Sequence, residues 1–73
     1  MAYQVITYDR GTGVDEIMEY PRRAEAAARA KRELYFDPKG YGTAEGVIVY
    51  DLKRKKITDI FGYFPERYRP IEQ

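Results

Sequence analysis

Only one stretch of this chain is dominated by good helix formers. Residues 22–36 hold Ala, Arg, Glu, Lys and Leu and are entered through Pro21, whose missing N–H suits the first helical position. On either side lie pairs of runs rich in β-branched and aromatic residues. A β-β-α-β-β order follows, and with it a small choice of folds. Two hairpins and one helix close a core most simply as a two-layer α+β domain: a four-stranded, mainly antiparallel sheet with the helix across one face.

The first hairpin is read from residues 2–9 (AYQVITYD), the turn Arg10-Gly11-Thr12-Gly13, and residues 14–20. In the second run Val14, Glu16, Met18 and Tyr20 alternate with Asp15, Ile17 and Glu19, which is strand periodicity, although Val14, Ile17 and Met18 also fit helical spacing. Within the helix, Ala24, Ala27, Ala30 and Leu34 gather on one side, opposite Arg22, Glu25, Arg29, Arg32 and Glu33. Pro38, Gly40 and Gly42 stop it. Strands at residues 47–51 and 57–64 make the second hairpin around Leu52-Lys53-Arg54-Lys55-Lys56. Residues 1–64 form the domain, and residues 65–73, bracketed by Pro65 and Pro70, read as an extended tail that could lie along the sheet. Strand order stays open, although a returning helix could set the first and third strands side by side.

Seventy-three residues allow one core and no second domain. The chain has no Cys and no His, and no Ser occurs in it, so disulfides, thiolate or serine nucleophiles, and the usual transition-metal ligands are excluded. Carboxylates, Lys, Arg, Tyr and Thr are what remain for catalysis, and the expectation is a protein that is not an enzyme and uses no cofactor. Thirteen bases against twelve acids leave a formal charge of +1, so any electrostatic partner must be met by a local patch. The longest apolar run, residues 47–50, is too short for a membrane span or a signal sequence, which points to a cytoplasmic protein with no membrane partner.

Four polar or aromatic groupings invite a functional reading. GYGTAEG (residues 40–46) has a phosphate-loop look, but it follows a helix instead of opening one and lacks the Lys-Ser or Lys-Thr ending, so it reads as a turn. Asp9, Asp15, Glu16 and Glu19 match no ion-binding loop, and no metal is expected. Lys53, Arg54, Lys55 and Lys56 form a dense basic cluster at a hairpin tip, able either to meet phosphates or simply to guard the neighbouring strands from edge pairing. Eight tyrosines and three phenylalanines exceed what a helix covering one sheet face can bury. Tyr8, Tyr50 and Tyr63 would then lie on the uncovered face, as rings for a protein partner, for a second copy, or for stacked bases beside the basic tip.

The stretch GVIVYDLKRKKITDIFGYFPERY joins a strand ending in Val49-Tyr50-Asp51, the basic turn, and a strand ending in Phe61-Gly62-Tyr63-Phe64-Pro65. In this it resembles small uncharacterised domains encoded on conjugative transposons of Firmicutes. The resemblance implies no activity. It implies a bacterial accessory factor of a mobile element, with nucleic acid or a protein of the transfer machinery as its partner. The expected function is therefore a small binding module that engages a protein or itself through the open sheet face. The alternative is sequence-tolerant binding of single-stranded nucleic acid, with Lys53, Arg54, Lys55 and Lys56 on phosphates and Tyr50 or Tyr63 on bases.

Overall fold

The computed structural model describes residues 2–11, 13–35 and 44–70. Four strands and one helix follow in the expected order: β1 (Tyr3–Asp9), β2 (Gly13–Tyr20), α1 (Arg23–Tyr35), β3 (Gly46–Asp51) and β4 (Lys56–Gly62). They build a two-layer α+β fold. The sheet runs β2-β1-β3-β4, antiparallel at every join, so α1 carries the chain from an edge strand over to the centre. Residues 14–20 are strand and not helix because every position of the run but Ile17 pairs with β1. The expected stop at residues 37–42 and the end of the chain at 71–73 lie outside the described residues.

α1 crosses β1 and β3 on a ridge of Ala26, Ala30 and Leu34, which closes over Val5, Val47 and Val49, with Tyr3, Tyr20 and Phe61 at the rim. The ridge follows i, i+4 spacing, whereas the expected Ala24 is exposed. A one-residue irregularity also breaks the alternation of β2. Val5 pairs with Met18 but Ile6 pairs with Glu16, so Met18 and Tyr20 stand on the helix side while Val14, opposite Tyr8, stands on the other.

That other face is not left open. Ile6, Tyr8, Ile48, Tyr50 and Phe64 form a second core, with Leu52 and Ile57 against it. Phe64 belongs to neither strand nor helix. The chain leaves β4 at Gly62 with φ +71°, a left-handed conformation that favours glycine, and turns Phe64 back onto the sheet. Instead of trailing away, residues 65–70 form a short 3-10 turn (Glu66–Tyr68), where Arg69 Nε donates to the Phe64 carbonyl at 3.0 Å.

Gly46 sits at the crossing point of these layers. A Cβ there would run into the Tyr63 carbonyl, and one at Gly62 would lie 2.5 Å from the Glu45 carbonyl oxygen. Glu45 ties the same corner. Its N–H donates to Tyr8 O at 2.8 Å, its carbonyl accepts from Tyr63 N at 2.9 Å, and its carboxylate takes the Arg10 backbone N–H and guanidinium.

Candidate functional site

The basic tip is a four-residue loop held by one carboxylate. Asp51 is buried at the end of β3, where its Oδ1 accepts from the backbone N–H groups of Lys53 (3.0 Å) and Arg54 (3.1 Å). Lys55 N donates to Asp51 O at 2.7 Å, and Lys55 itself takes φ +58° to close the loop onto β4. The Asp of the Val-Tyr-Asp motif thus has a structural job. Lys53, Arg54, Lys55 and Lys56 all project into solvent, as their density of charge requires.

The three expected tyrosines do not form one surface. Tyr8 and Tyr50 are only 6% and 8% exposed, both buried in the second core, so neither can stack on a base. Tyr63 is open, at 61%. It follows the last residue of β4, and at about 3.3 Å per residue the strand sets it roughly 20 Å from the Lys53–Lys56 tip. The basic and aromatic halves of the supposed nucleic-acid site therefore lie at opposite ends of one strand.

The fold instead gathers a different set of rings. Tyr8 is the floor beneath Tyr63, at 6.1 Å and edge-on, and beneath Tyr68, stacked at 5.4 Å between centroids. Arg67 places its guanidinium 4.8 Å from the centre of the Tyr68 ring. The nearby Tyr68 side chain holds the Arg67 pKa above its ordinary value. Tyr68 remains 42% exposed. From sequence, Arg67, Tyr68 and Arg69 read as a possible contact motif on an extended tail, with unstructured end residues the preferred reading; the signal that could have placed them was Phe64-Pro65, a large apolar residue and a turn former just past the strand.

Next to this cluster, a shallow groove of 450 Å³ separates Ile57, Thr58 and Ile60 of β4 from Glu66, Arg69 and Pro70. The helix side of β4 is fastened by Arg23, whose Nε and Nη2 each lie 3.0 Å from an Asp59 carboxylate oxygen. That contact, first by hydrogen bonding, lowers the Asp59 pKa, and Arg10 does the same for Glu45. Neither pair was expected from sequence, since each joins residues far apart in the chain. Among the described residues no group of three or more acidic side chains is placed to hold a metal ion.

A scan of protein-family models, a search of curated proteins and a search of solved structures each find no match to this chain. Among the described residues no helix is long and apolar enough to cross a membrane.

Proposed function

We propose that the protein is a non-enzymatic binding module that recognises another protein through Tyr63, Arg67 and Tyr68. One observation carries this reading: two exposed tyrosines pack against a third that is buried. Rings already fixed lose little entropy on binding, and Tyr and Arg are the types that most often dominate protein interfaces. The resemblance of residues 46–68 adds a setting, an accessory factor of a bacterial mobile element acting in the cytoplasm. The Tyr63–Tyr68 cluster takes the place of the open face in that role.

The test is affinity capture from bacterial extract, followed by measurement of each recovered protein against three forms of the chain. Tyr63→Ala with Tyr68→Ala should weaken a true partner by about thirtyfold or more, the effect of losing a residue worth ~2 kcal/mol. Replacing Lys53, Arg54, Lys55 and Lys56 with Gln should leave it unchanged. Equal affinity for wild type and the tyrosine variant would remove this surface from consideration.

For the nucleic-acid alternative, the four exposed cations supply a phosphate contact without a stacking platform beside it. Its check is an amide titration with a mixed single-stranded oligonucleotide at low and then physiological salt. Salt-sensitive shifts at Lys53–Lys56 together with Tyr63 would favour it over the protein reading.

A further inference from the structure

Resting on the reading of Tyr63, Arg67 and Tyr68 as a protein-binding surface, we infer that the segment it recognises is acidic, with a partner carboxylate seated on the Arg67 guanidinium. The turn after β4 sets that cation in place. Pro65 enters it in extended conformation, Tyr68 N donates to Pro65 O at 3.1 Å, and Arg69 N donates to Glu66 O at 3.0 Å, which closes the backbone around Arg67. The guanidinium then lies 4.8 Å from the centre of the exposed Tyr68 ring. A ring face attracts a cation but leaves its charge uncompensated.

The fold treats its other arginines differently. Arg10, Arg23, Arg29 and Arg54 each face a carboxylate, on Glu45, Asp59, Glu33 and Asp51 respectively. Arg69 uses its Nε on the Phe64 carbonyl, and Arg22 and Arg32 project into solvent. Among the described residues Arg67 alone combines an exposed guanidinium, a supporting ring and no carboxylate in ion-pair contact. The turn's own acid, Glu66, lines the groove beside β4 and makes an ion pair with neither Arg67 nor Arg69.

The polar groups around Arg67 can act with it as donors. Tyr68 first, and then Tyr63 and Tyr8, raise its pKa, so all three phenols stand within electrostatic reach of the guanidinium. A guanidinium offers only N–H donors, in a fork that matches a carboxylate, and a phenol O–H can donate alongside it. A basic segment meets like charge here, and a neutral one leaves the cation unmatched. The exposed rings of Tyr63 and Tyr68 take the apolar remainder of the segment. A nucleic-acid backbone fits less well, since one cation neutralises one phosphate and the basic tip lies roughly 20 Å away along β4.

The experiment is an NMR titration of the full chain, following backbone amides and the Arg67 side chain, with short alternating Glu-Pro, Gln-Pro and Lys-Pro peptides as probes. Proline holds each probe extended, so the three differ chiefly in charge. Glu-Pro should move Tyr63, Arg67 and Tyr68 at concentrations about tenfold or more below the other two, and added salt should weaken it. Arg67→Gln should weaken Glu-Pro by about tenfold, and Arg67→Lys, which keeps the charge but loses the fork, should fall between. Replacing Lys53, Arg54, Lys55 and Lys56 with Gln should leave these shifts in place. Equal response to the three peptides, no response to any, an Arg67→Gln chain that binds Glu-Pro like wild type, or Glu-Pro shifts confined to the basic tip or lost with it would each overturn the inference. So would a mixed single-stranded oligonucleotide that moves the same three residues at lower concentration than Glu-Pro, which would hand the site to nucleic acid. The wider protein-binding reading fails separately. It falls when Tyr63→Ala with Tyr68→Ala holds a captured partner as tightly as wild type, whereas equal binding of charged and neutral peptides at Tyr63 and Tyr68 leaves it standing and removes only the preference for acid.

Discussion

Lys55 shows how a single residue can carry a turn against its own preference. With φ +58° it occupies the left-handed region that costs a non-glycine residue roughly 1–2 kcal/mol. Glycine would relieve that strain but would add freedom to the unfolded chain worth about 0.4–1 kcal/mol. We expect Lys55→Gly to raise stability by about 0.5–1 kcal/mol, seen as a higher urea midpoint at unchanged slope. An unchanged or lower midpoint would mean that the Lys55 side chain contributes to the tip. Asp51 works in the other direction. Its carboxylate satisfies two loop N–H groups that the left-handed closure leaves pointing inward, which is why a buried acid is tolerated there.

At the level of elements, the segment after β4 acts as a third cover. Phe64 is 2% exposed and is the largest fully buried side chain, whereas Tyr68 rests on the outside of the same core. We expect Phe64→Ala to cost about 3–5 kcal/mol, as for large core truncations. That is a large share of the total for a domain of this size, on the order of 5–10 kcal/mol. Tyr68→Ala should cost far less, about 0.5–1.5 kcal/mol for the lost ring pair. Chemical denaturation of the two variants side by side checks the contrast. Similar losses would show that residues 66–70 anchor the sheet as firmly as Phe64 does. The element order and the strand character of residues 14–20 were legible from periodicity, because a half-buried strand imposes alternation on its residues. The break in β2 and the rotation of the helix face were not. A one-residue irregularity leaves composition untouched, and Ala24, Ala26 and Ala27 look alike until a sheet selects one ridge.

For the whole molecule, two ion pairs join parts of the chain that the sheet alone leaves loosely tied. Arg10–Glu45 links the first turn to the start of β3, and Arg23–Asp59 links the helix start to β4. Both carboxylates have pKa values lowered by their arginine, so in the folded state they stay charged to lower pH than in the unfolded chain. Their contribution is fully present above the ordinary carboxylate range and is lost as pH falls through the lowered folded values. Stability should therefore be level above about pH 5 and decline below it. In Glu45→Gln combined with Asp59→Asn that decline should be shallower, as measured by urea midpoints at successive pH values. An acid limb as steep as wild type would assign the loss to other carboxylates.

The α+β class, the element order and the solvent-facing basic tip were determined by the sequence itself, because each depends on local preference or on the cost of burying charge. Which tyrosines are open was decided only by the tertiary structure. Tyr8, Tyr50 and Tyr63 all sit in or next to strands, and nothing in their neighbours separates them. For Tyr8 the difference comes from Phe64, which the turn at Gly62 swings back over it while Tyr63 is carried to the outside. Burial depends on what the rest of the chain brings across a face, and that is a property of long-range packing.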